Sequence, residues 1–341
     1  MPLAVAAAWP FVQLALGSSV CGSQTWEAAL NWFSFLAVFA LSAGLLAEAR
    51  TRRRVLGALS IFGMILAAVA TAQKYSSCGK YFWLFPSGFS DDVLGPFVNH
   101  NQFAAWVELL IPVALYRAIT ERRLRALYGS AAAVMFGSVV ASASRAGFAL
   151  ACGEVVAVLM TVAASRPAPR RALAVASIQF VALALISGAV AGWQGLESRL
   201  ETRGPEAVRV DAAKASLRMA ADRPWVGTGL GTWAIVYPRY AGFDAGVFVN
   251  QAHNDWAQWA AEGGLPFVFF LLVFAILLCK PAIQSIYGLG TVAFLLHAFV
   301  DYPMQQRPAL AAWFFALAGA TFVWRSGRPE TEDGLLRGIG R

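Results

Sequence analysis

Long apolar runs separated by short polar clusters dominate this chain. Runs near residues 2–19, 28–48, 55–72, 102–119, 127–144, 146–165, 172–192, 264–279, 284–300 and 308–324 approach the length of a bilayer-spanning helix, about 20 residues. The pattern predicts an all-α, polytopic transmembrane helical bundle of about ten spans. Helices one to seven are placed in 1–192, a long, partly helical loop module in 193–263, helices eight to ten in 264–324, and a polar tail in 325–341. The stretches near 130–165 and 172–192 are rich in Ala, Gly and Ser, which suits close helix–helix packing.

Basic residues give the expected orientation. Arg50 and Arg52–Arg54 follow the second run, Arg117, Arg122, Arg123 and Arg125 the fourth, and Arg166, Arg170 and Arg171 the sixth. Lys280 follows the eighth run, and Arg325 and Arg328 the last. All fall on one side, which the positive-inside rule makes cytoplasmic, together with both termini. Segments 73–101 and 193–263 then lie on the outer, extracytoplasmic side. In the second, Pro205 can open a helix and Pro224 must stop it, with Val210, Ala213, Leu217 and Ala220 on one face. A further short helix is expected in HNDWAQWAAEGG, capped by Asn254 and ended by Gly263–Gly264.

Composition agrees with this picture. The chain of 341 residues is 58% hydrophobic and 13% charged, with a mean hydropathy of +0.58, which excludes a disordered chain and argues against a water-soluble globule. The net charge of +8 normally raises nucleic acid as a partner, but the basic residues sit between apolar runs, so no nucleic acid is expected. Of four cysteines, Cys21 and Cys78 fall in outer loops, where they either form a disulfide or remain two free thiols.

Common catalytic motifs are missing. There is no P-loop, GxSxG, HExxH or CxxC, and no Asp-x-Asp to hold a metal against a nucleotide-sugar, so neither metal nor cofactor is expected. Polar residues gather instead on the predicted outer side. Arg145, beside Ser142 and Ser144, either snorkels to the interface or aims its donor fork at phosphate oxygens. Arg218 is either a solvated helix residue or a second phosphate ligand. His253 opens the short outer helix, where the macrodipole disfavours an imidazolium; it is either a capping residue or a base for a sugar hydroxyl. Trp256 and Trp259 either stack on sugars or anchor at the interface. His297 and Asp301, four apart, are read first as a buried structural pair and second as a catalytic dyad. Glu108 and Glu154, inside spans four and six, favour an alternative: a transporter or lipid flippase without catalysis. A membrane scaffold is a further alternative.

Four blocks in order resemble the O-antigen ligase and polymerase family of bacterial membrane glycosyltransferases. They are GPFVNHNQFAAWVELLIPVAL (95–115), SASRAGFAL (142–150), RMAADRPWVGTGLGTW (218–233) with AHNDWAQWAAEGGLP (252–266), and HAFVDYPMQQRPALAAWFFAL (297–317). The resemblance implies transfer of a glycan from a polyprenyl diphosphate carrier to an acceptor hydroxyl of a growing glycan, a lipid A core or a protein. It implies Arg145 and Arg218 as ligands of the donor diphosphate and His253 as the residue essential for transfer. Asn99, Asn101, Ser144, Arg223, Asn254 and Trp256 are the accompanying substrate-binding candidates. In the loop motif of the family, His253, Asn254 and Gly264 match, whereas Phe267 occupies the last place, where Gly, Thr or Tyr is usual.

Overall fold

The computed structural model describes residues 1–88, 93–164, 181, 206–244, 246, 248–305 and 308–324. Among them are eleven α-helices: α1 (Pro2–Ala15), α2 (Gly22–Leu45), α3 (Ala49–Ser76), α4 (His100–Thr120), α5 (Arg125–Ser142), α6 (Arg145–Ala164), α7 (Glu206–Asp222), α8 (Trp233–Val236), α9 (Asp255–Ser285), α10 (Leu289–His297) and α11 (Pro308–Trp324). Helices α2, α3, α4, α5, α6 and α9 are long and apolar enough to cross a membrane, so the expected all-α polytopic bundle is what the chain forms. A two-residue hairpin, β1 (Lys80–Tyr81) with β2 (Phe85–Pro86), is antiparallel, pairing Lys80 with Pro86 and Tyr81 with Phe85. Nearly all of the predicted span 172–192, Arg166, Arg170, Arg171, Pro205, Arg307 and the tail 325–341 lie outside the described residues.

Two predicted spans are shorter than expected. In 284–300, beyond the end of α9 at Ser285, only the nine residues of α10 are helical, about 13 Å of rise against a hydrocarbon core of about 30 Å. Ile286, left-handed at φ 62°, breaks the chain after α9, and the polar 301–305 segment follows. Helix α1 stops at Ala15, ahead of a left-handed Gly17 at φ 61°. All four cysteines are free thiols.

The chain divides into two units. One comprises Gly44–Glu201, Pro281–Phe294 and Ala320–Arg341, and within it α3, α4, α5 and α6 pack together. Helix α4 is its centre, buried almost throughout from Asn101 to Ala114. Small residues permit the close approach expected from the sequence: a side chain added at Gly147 on α6 would meet Ala104 Cβ of α4 at 2.5 Å.

The other unit comprises Met1–Ala43, Thr202–Lys280 and Leu295–Gly319. Helix α7 runs between the two predicted prolines, but its apolar face is not the one the periodicity suggested. Val210 and Leu217 are exposed, while Ala212, Ala215, Ser216 and Met219 are buried. The reason lies outside the helix: the Trp233 indole N–H of α8 donates to Ser216 Oγ at 2.8 Å, and Trp233 stacks on Tyr237 at 4.5 Å. Shape against a distant tryptophan, rather than hydrophobicity along α7, decides which face is buried.

A fully buried glutamine on α1 ties this unit together. Gln13 Nε2 donates to the carbonyls of Val226 and Glu262 at 2.6 and 2.8 Å, and its Oε1 accepts from Leu230 N–H at 3.0 Å. Gly227, at φ 65°, tolerates no side chain there, because a Cβ would stand 2.1 Å from the Glu262 carbonyl oxygen. Gln13→Leu keeps the bulk but leaves these partners buried without a mate. It is expected to destabilise the protein by about 2–4 kcal/mol, read as a lowered unfolding temperature of the purified protein in detergent.

Candidate active site

His253 lies immediately before the first turn of α9. Its backbone is left-handed, φ 53°, which turns the chain sharply into the helix. Asn254 then caps that helix, its Oδ1 accepting from Ala257 N–H at 2.9 Å, as the sequence suggested. The first turn is fastened to the segment after α10. Asp255 N–H donates to the Ala298 carbonyl at 2.8 Å, and Asp255 Oδ2 accepts from Met304 N–H at 3.0 Å. Gly264, at φ 73°, ψ 179°, interrupts α9 where the short outer helix was expected to end.

This fastening brings Asp301 to His253. The imidazole Nδ1 stands 3.5 Å from Asp301 Oδ1, and the ring meets Tyr302 edge-on at 4.7 Å. The Asp301 side chain is 2% exposed and the His253 side chain 24%. Burial works to raise the Asp301 carboxyl, but His253, His297 and Arg209 outweigh it and hold the group below the usual carboxylate range. Asp301, expected to pair with His297, stands instead against His253, which spacing on one helix does not reveal, while His297 acts on it electrostatically. The arrangement is a partly open imidazole backed by a buried carboxylate, which suits a base whose ring must be held in one tautomer.

Arg209 was missed. Nine residues separate it from Arg218 on α7, a rotation of about 180°, so the two guanidinium groups leave opposite sides of the helix. Arg209 is the one within electrostatic reach of Asp301. Helical phase relative to His253 is a tertiary property that residue spacing on α7 does not carry. Arg218 is half-exposed; its Nη2 donates to the Tyr240 carbonyl at 2.7 Å and lies 3.9 Å from Asp211 Oδ1. Asp211 also accepts from Gly242 N–H and from Tyr237 Oη, the latter at 3.0 Å. Burial, and then this bond and the Asp211 charge, push the Tyr237 phenol up to about 12. Arg223 is exposed and donates to the Ser18 carbonyl at 3.3 Å.

The two tryptophans are packing residues. Trp256, 7% exposed, donates through Nε1 to the Leu295 carbonyl at 3.1 Å and stacks on Phe299, while Trp259 is 2% exposed. Of the two expectations for them, sugar stacking is not the one this burial serves. Phe267, the departure from the loop motif, is fully buried against Trp32, with ring centroids 5.1 Å apart.

In the other unit, a second polar cluster surrounds Arg145. Asn99 caps α4, its Oδ1 accepting from Asn101 N–H at 2.8 Å. Asn101 Oδ1 in turn accepts from Ser144 Oγ at 2.7 Å, and Ser144 Oγ accepts from Gly147 N–H at 3.1 Å, capping α6. Ala143, left-handed at φ 57°, makes the tight corner between α5 and α6. Arg145 is the first residue of α6 and is exposed. Lys74 reaches the same corner, donating to the Ala141 carbonyl at 2.7 Å. Asn99, Asn101 and Ser144 are thereby brought together as the frame that presents Arg145. Deeper in this unit Glu108 and Glu154 are both buried.

No curated protein matches the chain. Residues 130–273 match the family model described as O-antigen ligase. The match contains the SASRAGFAL block and both parts of the third block, with Arg145, Arg218 and His253; the first and fourth blocks lie outside it. It bears out the resemblance drawn from the sequence: over residues 130–273 this multi-pass membrane protein is similar to the O-antigen ligase family.

Proposed function

We propose that this protein transfers a glycan from a polyprenyl diphosphate carrier to an acceptor hydroxyl on the extracytoplasmic face of the bacterial inner membrane, without a metal and with inversion at the anomeric carbon. The observation that carries this reading is the His253–Asp301 pair, a partly open imidazole backed by a buried carboxylate. With Nδ1 turned to Asp301, Nε2 takes the proton as the acceptor oxygen attacks the anomeric carbon. The bond from that carbon to the diphosphate breaks, and the leaving group carries its negative charge away with it.

That charge asks for stabilisation rather than protonation. Arg145 and Arg218 are the proposed ligands, since planar guanidinium groups match phosphate oxygens and aligned charges contribute several kcal/mol to such a step. Arg145 has a further advantage, because the N-terminus of α6 adds its own partial positive charge at the same place. Asn99, Asn101 and Ser144 position Arg145. Arg209 joins the set as a further cation acting on the Asp301 carboxylate, behind His253 and His297.

The test is transfer by the purified full chain, given polyprenyl-diphosphate-linked glycan and, in turn, a glycan, a lipid A core or a peptide acceptor. Product with the opposite anomeric configuration, formed equally in EDTA, is the expected result. Activity abolished by EDTA and restored by magnesium overturns the metal-free scheme, and a retained configuration overturns single displacement.

One observation favours a second reading, transport. Both carboxylate oxygens of Glu154 are buried without a hydrogen-bond partner among the described residues, and Glu108 lies within electrostatic reach. Movement of labelled lipid across vesicles, lost in Glu154→Gln and independent of His253, decides for that reading.

A further inference from the structure

Beside the His253–Asp301 pair lies a cavity of about 260 Å³ that the transfer scheme does not use. Its polar lining includes Asn31 on α2, Asn250 and Gln251 just before His253, Gln258 and Glu262 on α9, and Gln305 four residues beyond Asp301. All of these belong to the same unit as His253. Its volume falls just under the range of roughly 300–1,000 Å³ that holds drug-sized ligands, and suits a small polar ring.

Two lining groups are incomplete in a complementary way. Glu262 is 1% exposed. Its Oε1 is occupied, accepting from Trp233 N–H at 2.8 Å and from Gln258 Nε2 at 3.3 Å, and the Gly231 N–H also acts on the carboxylate, but Oε2 is buried with no well-formed hydrogen bond among the described residues. Gln305 Nε2 is likewise buried without a partner among the described residues. The cavity therefore offers one unused acceptor and one unused donor, each costly to leave unsatisfied. A hydroxyl both donates and accepts, so adjacent hydroxyls on one ring can satisfy both groups.

The rest of the lining is already fixed to receive such a ring. Gln258 Oε1 accepts from Ala252 N–H at 2.9 Å, and Gln258 Nε2 also donates to Gln251 Oε1 at 2.7 Å. Among the described residues the charged groups that line the cavity are Glu27 and Glu262, two carboxylates that disfavour a phosphate or other anion beside them.

From these observations we infer that the cavity is a binding subsite for one uncharged sugar residue, with Glu262 Oε2 accepting from a ring hydroxyl and Gln305 Nε2 donating to another. The inference rests on the glycan-transfer reading for its meaning, because it places a sugar of the donor or of the acceptor next to the base. It makes Glu262 and Gln305 specificity-determining residues rather than catalytic ones.

The experiment reads binding apart from transfer. Saturation-transfer NMR on the purified full chain in detergent, with the methyl glycosides of glucose, galactose and N-acetylglucosamine as probes, should show at least one bound sugar. Glu262→Gln and Gln305→Leu should each weaken that sugar roughly tenfold, whereas His253→Ala should leave it bound. Asn31→Ala, at the half-exposed rim, gives the same direction of change if either buried variant fails to fold. No saturation transfer from any probe, or equal binding in the Glu262, Gln305 and Asn31 variants, overturns the proposal. In the transfer assay, a raised KM for the donor alone in Gln305→Leu assigns the sugar to the donor chain, and a raised KM for the acceptor alone assigns it to the acceptor. Sugar binding with no transfer to any acceptor removes the glycosyltransferase reading and leaves the subsite standing.

Discussion

Replacing His253 by glutamine should lower the rate of glycan transfer by roughly a hundred- to ten-thousand-fold, the contribution of one positioned base. Glutamine preserves size and a hydrogen-bonding end but cannot take the acceptor's proton. The loss should fall on kcat, with KM for the lipid-linked donor little changed, because the proposed scheme assigns the donor diphosphate to the arginines. Asp301→Asn tests the same pair from behind. The carboxylate touches the ring and not the substrate, so it is a positioning residue, and its loss should cost more than tenfold in kcat with KM intact. Asp301→Glu should restore part of that activity, which a purely structural role for a buried carboxylate would not predict. Near-wild-type kcat in His253→Gln, measured on initial rates with radiolabelled donor, removes His253 from the chemistry.

Arg145 carries the second large effect. Arg145→Ala should reduce kcat/KM for the donor by about a hundred- to a thousand-fold, as expected for one charge-stabilising donor in a partly water-excluded site. Arg145→Lys separates two explanations. If the guanidinium holds two phosphate oxygens with its planar fork, lysine recovers less than a tenth of the activity, because an ammonium offers a point charge only. If the side chain merely reaches to the membrane interface, lysine does so equally well and activity is kept. Asn101→Ala leaves Arg145 in place but removes the acceptor for Ser144 Oγ. It should give an intermediate loss through a looser α5–α6 corner.

Much of this could be read before any coordinates. Local rules are sufficient where one stretch of chain settles the outcome by itself: Asn254 as a cap, Gly264 as the end of the short helix, and the limits of α7 between Pro205 and Pro224. They fell short where a distant partner decides. The buried face of α7 is chosen by Trp233, and Gln13 acquires its meaning only from Val226, Leu230 and Glu262, more than two hundred residues away. Span nine looked long enough because hydropathy averages over the left-handed break at Ile286. In the site, His253, Arg145 and Asp301 each stand out in the sequence as chemistry-bearing residues, but the pairing of Asp301 with His253 and the guanidinium of Arg209 do not. Their roles depend on how loop 298–305 folds onto α9, which neither spacing nor composition encodes.

The positive φ at His253 carries a cost of its own. A branched or bulky side chain in that conformation is uncomfortable, and even a ring such as imidazole sits there less easily than hydrogen or a small amide. Glycine or asparagine at this one position would relax the turn and make the folded protein hardier while silencing it. At this single backbone torsion heat tolerance and the proposed turnover pull against each other, and selection for robustness alone would discard the residue proposed as the base.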